Sequence, residues 1–184
     1  MFIQTEQTPN PASLKFLPGR PVMTAGTANF TSEQAAHASP LAERLFSLPE
    51  VTGVFLGTDF ITVTKDEEGD WYRLKPAILA IIMEHFTARR PVLLGEPVVS
   101  ATVGADQEED EVVAQIKELL ETRVRPAVAQ DGGDITFHDF EDGVVYLHMQ
   151  GSCSGCPSST ATLKAGIENM LRHYIPEVVE VRAI

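Results

Sequence analysis

Cysteine is scarce in this 184-residue sequence, which contains only two, both in the unit Cys153-Ser-Gly-Cys156. Two thiols are too few for the disulfide framework that stabilises small secreted domains. Long apolar runs are also missing, because the most apolar stretch, residues 77–83, is far too short to cross a bilayer. The sequence therefore predicts a folded globular chain without a membrane partner, whose cysteines serve metal binding or redox chemistry.

Basic side chains are also few: 14 Lys and Arg stand against 26 Asp and Glu, for a formal net charge of -12. Nucleic-acid binding depends on Lys and Arg neutralising phosphates, so we expect protein partners and no nucleic acid. The first residues resemble neither a secretory signal nor an Arg-rich transit peptide. We therefore expect a bacterial cytoplasmic protein, with the mitochondrial matrix as the address if the sequence is a processed form.

The acidity is uneven along the chain. Residues 1–96 carry a net charge of -3, whereas residues 97–184 carry -9. The stretch between them combines Gly, Pro and an acidic run with little to bury, which is typical of a linker. We expect an α+β fold made of two small α/β-sandwich-like modules, at residues 1–95 and 110–184, joined by an acidic linker at residues 96–109.

Hydrophobic periodicity predicts the elements of each module. In the first module it predicts strands at 2–6 and 14–17, a short helix between Pro40 and Pro49, a hairpin of 51–56 with 60–64, and a helix at 71–86. In the second it predicts a helix from 112 to 124 that Pro126 disturbs near its end, a hairpin around 141–143, a helix starting at 158 or 159, and a strand at 178–181. Residues 131–134 lack the ligand series of a calcium loop and predict a tight turn into the hairpin.

The two cysteines lie in the predicted loop between a strand and a helix. Two intervening residues let both sulfurs point at one metal centre, and Gly155 permits the tight backbone that this requires. Pro157 suits the first helical turn, so we expect unpaired N–H groups of the helix to favour thiolate. Zinc sites, iron-sulfur sites and dithiol oxidoreductases all use this spacing, which alone does not choose among them.

The number of available ligands limits how a metal centre could be bound. Zinc or an iron-sulfur cluster normally takes four protein ligands, and Cys153 with Cys156 supplies two, so a two-fold dimer could share one centre. His138 and His148 on the neighbouring hairpin are the alternative source of ligands, and a purely structural or disulfide-bonded cysteine pair is a further alternative. No nucleophile elbow, catalytic pattern or phosphate-binding loop is present, so we expect no enzyme and no catalytic residues.

Three segments of the second module, residues 125–134, 151–157 and 175–181, closely resemble the C-terminal domain of NifU-like (Nfu) iron-sulfur proteins. Residues 8–18 and 55–65 resemble the Nfu N-terminal domain, so the resemblance covers nearly the whole chain. The cysteines of the central ferredoxin-like domain of full-length NifU have no counterpart here, and its assembly-scaffold domain is also lacking. The resemblance therefore favours late carriage of a cluster over its assembly.

The resemblance implies a homodimer in which Cys153 and Cys156 of both protomers bind one [4Fe-4S] cluster. It also implies transfer of that cluster to apo iron-sulfur client proteins, after loading by an upstream cluster donor. The first module contains no cysteine, and we expect it to recognise clients or donors. A dithiol oxidoreductase and a structural zinc-binding dimer remain the alternative functions.

Overall fold

A computed structural model describes residues 1–95, 111–154 and 157–184, with the backbone alone at 157–159. The expected linker at 96–109 and Cys156 lie outside the described residues. The chain divides into two compact units, Met1–Ala101 and Thr102–Ile184. Each unit has its own hydrophobic core. The mixed helix-and-strand class predicted from the sequence is confirmed, and no helix in the described residues is long and apolar enough to span a membrane.

The first unit is a five-stranded antiparallel sheet with helices. Its strands are β1 (Gln4–Gln7), β2 (Ser13–Leu17), β3 (Ala28–Phe30), β4 (Val51–Leu56) and β5 (Ile61–Lys65), in the spatial order β1-β2-β5-β4-β3. Its helices are α1 (Glu33–Ala36), α2 (Pro40–Phe46) and α3 (Trp71–Thr87). Alternation along the strands places Phe16, Ile61 and Leu56 side by side in the core, where Ile78 and Ile82 of α3 join them.

Local sequence explains where the helices of this unit begin. Ser39 accepts a hydrogen bond from the amide of Ala42 at the start of α2, and Asp70 does the same for Tyr72 at the start of α3. The predicted central hairpin and both predicted helices are confirmed. The predicted first strand starts at Gln4 rather than Phe2, and β3 and α1 were missed because three or four residues are too short to show a period.

The second unit contains α4 (Glu111–Leu119), a π-helical turn (Leu120–Val124), α5 (Arg125–Gln130), β6 (Gly133–Glu141), β7 (Val144–Gly151), α6 (Pro157–Tyr174) and β8 (Glu180–Ala183). The sheet order is β6-β7-β8, with β6 antiparallel and β8 parallel to the central β7. The helix α6 provides the crossover that a parallel pair requires. Core residues of the strands and helices, among them Ile135, Leu147, Ile116 and Leu171, form one cluster that also includes Cys153.

Three boundaries in this unit differ from the prediction. The first helix continues past Pro126 to Gln130, because a wider π-helical turn accommodates a proline that has no N–H and crowds the preceding turn. The helix α6 begins at Pro157, whereas a start at residue 158 or 159 was predicted. The strand β8 begins at Glu180 rather than Val178, because the amide of Val178 instead closes a turn with the carbonyl of Ile175.

Candidate functional site

Cys153 lies in the loop between the end of β7 and the start of α6, as the sequence predicted. The loop begins at Gly151, whose φ of 66° is in the left-handed region that favours glycine. The amide and the hydroxyl of Ser154 both donate to the carbonyl oxygen of Gly151, at 3.2 and 3.0 Å. These bonds close a tight turn around Cys153, so its position is determined by the strand that precedes it.

The sulfur of Cys153 packs against the backbone of Gly133. A Cβ atom built on Gly133 would lie 2.6 Å from the Cys153 sulfur and 2.8 Å from the carbonyl oxygen of Gln150, closer than real side chains approach. Gly133 and Gly151 are paired residues of β6 and β7, which explains the proximity. Sequence reasoning treated Gly133 as part of a turn and missed this contact, although the Gly132-Gly133 pair before a strand signals close backbone approach.

Two side-chain hydroxyls attach the loop to the rest of the unit. The Ser152 hydroxyl donates to the carbonyl oxygen of Asp131, and the Ser152 amide donates to the carbonyl oxygen of Gly132 at 3.3 Å. On the other side, the hydroxyl of Thr160 in α6 donates to the carbonyl oxygen of Cys153 at 3.0 Å. Neither hydroxyl could be singled out from the sequence, because serine and threonine form such bonds only where the fold brings a carbonyl to them.

The environment of the Cys153 thiol favours its protonated form. Burial is the largest effect; a side-chain hydrogen bond with Ser152 lowers the pKa, and the charges of Asp131 and Asp134 raise it. Together these effects raise the pKa of Cys153 to about 11 from an ordinary value of 9.0. The side chain is only 7% exposed. The expectation that the loop favours thiolate is therefore wrong for Cys153 in this structure, because desolvation outweighs any stabilisation from the start of α6.

An ion pair supports the corner on which the sulfur rests. Arg125 of α5 makes two 2.9 Å hydrogen bonds to the carboxylate of Asp134, and a third, 2.6 Å long, to Glu121. Asp134 is buried and also accepts from the amide of Ile135. These contacts raise the pKa of Arg125 and keep its charge fixed in place. Because Asp134 follows Gly133 directly, the pair holds the start of β6 beneath Cys153.

The two histidines weighed as alternative ligands lie on the exposed surface of the hairpin. His138 occupies the irregularity in the register of β6, between Phe137 and Asp139, and His148 pairs with Thr136. Within residues 1–95, 111–154 and 157–184, no group of three His, Cys, Asp or Glu side chains could hold a metal ion. Cys153 is a free thiol, and its expected partner Cys156 is outside the described residues. Thiolates are the donors that zinc and iron-sulfur clusters take, so the donor chemistry fits either.

Comparison with known proteins adds a family and several relatives. The family model "Scaffold protein Nfu/NifU N terminal" matches residues 3–89, and "NifU-like domain" matches residues 116–182. A Homo sapiens protein, "NFU1 iron-sulfur cluster scaffold homolog, mitochondrial", is 56% identical over all of this chain, which spans 72% of that protein. The Arabidopsis thaliana "NifU-like protein 5, mitochondrial" is 53% identical over 97% of this chain, which spans 66% of its length.

A solved structure also resembles part of the chain. The solution structure of a NifU-like protein from Saccharomyces cerevisiae covers 52% of this chain and 87% of its own, at 27% identity and a TM-score of 0.48. That TM-score is too low to support a conclusion about this chain. The relationship of this chain to known proteins is therefore based on the sequence matches.

Proposed function

This chain belongs to the Nfu and NifU-like family of scaffold proteins, and on that premise we propose that it carries an iron-sulfur cluster and delivers it to other proteins. The observation that supports this most is the match of both family models, one to each half of the chain, together with a 56% identical relative named an iron-sulfur cluster scaffold. The cluster is cargo rather than a resident cofactor, and the chain has no catalytic residues in this proposal.

In its finer form the cargo is a [4Fe-4S] cluster shared between two chains. Four thiolates are the usual ligand set of such a cluster, and one chain has only Cys153 and Cys156 to offer. A two-fold axis through the cluster would bring the same two cysteines from a second copy, without any further sequence requirement.

Transfer proceeds by ligand exchange in this proposal. Thiolates of a client protein replace Cys153 and Cys156 stepwise, the dimer opens, and no bond of an organic substrate is broken. Cys153 must leave its core position and lose its proton to act as a ligand, because the thiolate is the binding form. The Cys153 side chain returns to the core when the cluster is released.

The alternative functions make different demands on the thiols. A dithiol oxidoreductase needs an attacking cysteine with a lowered pKa, whereas burial raises that of Cys153. A structural zinc dimer would use the same four thiolates but gives a colourless protein that unfolds on chelation. The raised pKa thus disfavours Cys153 as the oxidoreductase nucleophile, and metal content distinguishes zinc from a cluster.

The two modules and the linker have separate roles in this proposal. Residues 1–95 form the module that recognises apo iron-sulfur clients or an upstream donor, residues 96–109 link it, and residues 110–184 hold the cluster. Partners are proteins and a second copy of this chain, without nucleic acid or membrane. The human and Arabidopsis relatives are mitochondrial by name, which favours the mitochondrial matrix over the bacterial cytoplasm as the address.

Anaerobic reconstitution with iron and sulfide tests the proposal. We expect a brown dimer with about four irons and four sulfides per pair of chains. Cys153→Ala should lose the cluster, whereas the control His148→Ala, which changes an exposed residue of the same hairpin, should keep it. Loss of the cluster in the His148 variant would favour a histidine ligand, and a colourless, zinc-loaded or metal-free parent would refute the cluster-carrier proposal.

The roles of the two modules have a separate test. A chain that lacks residues 1–95 should still take up iron and sulfide, because each unit has its own core. Its rate of transfer to client proteins should fall relative to the full chain. Loss of cluster uptake on this deletion would contradict the assignment of the cluster to the second module alone.

A further inference from the structure

Thr160 is a half-buried residue in the first turn of α6. A threonine inside a helix usually bonds a carbonyl of its own helix, three or four residues back. The Thr160 hydroxyl instead reaches seven residues back, across the loop, to the carbonyl oxygen of Cys153 at 3.0 Å. The acceptor is thus the peptide group of the residue that carries the buried thiol.

The other side of the loop is attached independently. Ser152 bonds the carbonyls of Asp131 and Gly132 and so ties the residue before Cys153 to the corner between α5 and β6. The backbone around Cys153 is therefore attached on both sides: Ser152 bonds it to the corner between α5 and β6, and Thr160 bonds it to α6. The Ser152 bonds also organise the start of β6, whereas the Thr160 bond acts on the cysteine's own carbonyl.

We propose that Thr160 is a positioning residue for the cargo: its hydroxyl holds the Cys153 carbonyl against α6 and thereby sets how long an iron-sulfur cluster stays bound. This inference rests on the proposed function. The Cys153 sulfur can turn out of the core by rotation about the Cα–Cβ bond while the carbonyl stays bonded to Thr160. A fixed peptide plane then restricts the directions in which the outward-turned sulfur can point. Ligands held in one direction release a metal centre more slowly than ligands free to reorient. Thr160 is not itself a ligand in this proposal.

The test uses substitutions that distinguish the effect of the Thr160 hydroxyl donor from the effect of the size and shape of the side chain. Thr160→Val replaces the hydroxyl with a methyl group, Thr160→Ser keeps the donor, and Thr160→Ala is a second donor-free variant in case valine disturbs folding. The matched control is Thr122→Val, which removes a 2.7 Å hydroxyl-to-carbonyl bond to Glu118 in the same unit. The full chain is loaded anaerobically, and the rate of iron loss to a ferrous chelator is measured.

We expect iron loss to be about fivefold faster in the donor-free variants, the factor that corresponds to one ordinary hydrogen bond. Thr160→Ser and Thr122→Val should stay within about twofold of the parent. A readout without cargo uses the Cys156→Ser background, in which Cys153 is the only thiol. There, Thr160→Val should make alkylation of Cys153 faster by a similar factor, and Thr122→Val should not.

The outcomes distinguish this inference from the function on which it rests. Equal rates of iron loss in a loaded parent and in both donor-free variants overturn the role of Thr160 and leave the carrier function intact. If iron loss from Thr160→Ser is as fast as from the donor-free variants, the role of Thr160 is also overturned, because the hydroxyl donor is then not responsible for the increase. A parent that takes up no iron or sulfide overturns the proposed function itself, and with it this inference.

Discussion

Replacing Gly133 with alanine adds a single Cβ atom at the contact between β6 and the loop that carries Cys153. The added Cβ would lie 2.6 Å from the Cys153 sulfur, 2.8 Å from the Gln150 carbonyl oxygen and 3.2 Å from the Cys153 amide nitrogen. Ordinary contacts of a Cβ are 3.4–4 Å long. The sulfur must therefore move by roughly 1 Å, and the backbone of β7 must yield as well.

The expected cost arises from overpacking. Inserting one methyl group into a close-packed region typically destabilises a protein by about 1–3 kcal/mol. We expect the middle to upper part of that range, about 2–3 kcal/mol, because two of the three crowded atoms belong to the backbone. For a unit of this size, that corresponds to a fall of about 10 °C or more in the midpoint of thermal unfolding.

The assay can report each unit separately. Trp71 is the only tryptophan of the chain and lies in the first unit, so its fluorescence should be unchanged by Gly133→Ala. Amide exchange at Val145 and Leu147, buried in the central strand β7, reports the second unit and should become faster. Urea titrations followed by both probes give the two free energies of unfolding from one sample.

Two further variants test the reasoning. Gly166→Ala changes a glycine of α6 whose Cβ would meet nothing within 4 Å, so it should stabilise the second unit by about 0.5–1 kcal/mol. Adding Cys153→Ala to Gly133→Ala removes one of the clashes and should recover part of the lost stability relative to Cys153→Ala alone. If Gly133→Ala is as stable as the parent and Cys153 alkylates at the parent's rate, the close contact does not exist.

Three more predictions concern charged and titrating groups. As pH rises from 9 to 11 the second unit should lose about 2 kcal/mol of stability that Cys153→Ala does not lose, because the folded state retains a proton that the unfolded state releases. Parallel curves for the two proteins would contradict this. Asp134→Asn should cost the second unit about 2 kcal/mol in urea titrations by weakening the bonds to Arg125, and a change below about 0.5 kcal/mol would show that the pair is dispensable. Burial lowers the pKa of His85 in the folded state. The first unit should therefore lose stability as pH falls below 6.5 and through the lowered pKa, because the unfolded state binds the proton more readily. Trp71 fluorescence should show this loss in the parent but not in His85→Phe.

Periodic packing is the part of the fold that the sequence revealed. The spacing of Ile78 and Ile82 predicted α3, and the alternation of Val145, Leu147 and Met149 predicted β7, because each pattern records which side chains face a core. The shortest elements and the π-helical turn escaped prediction. Their formation depends on tertiary partners, such as the pairing of Phe30 with Val54, rather than on a local period.

The candidate site was predictable in position but not in environment. Its place between a strand and a helix was predicted from the alternation that ends at Met149 and from Pro157, and the structure has Cys153 there. The raised pKa of Cys153 depends on burial and on Asp131 and Asp134, which the chain brings close only when β6 pairs with β7. The role of Cys156 stays a prediction.

Cys153 has two incompatible positions in the proposed cycle, and their competition bears on transfer. In this structure its side chain belongs to the core of the second unit and is 7% exposed. A ligand of a shared cluster must point out toward a second chain, so binding removes that side chain from its packing. Burying a group of this size is worth about 1 kcal/mol, which the protein regains each time the sulfur returns. The core therefore competes with the cluster for the same side chain, and a carrier with this arrangement holds its cargo less tightly than its ligand set alone would allow.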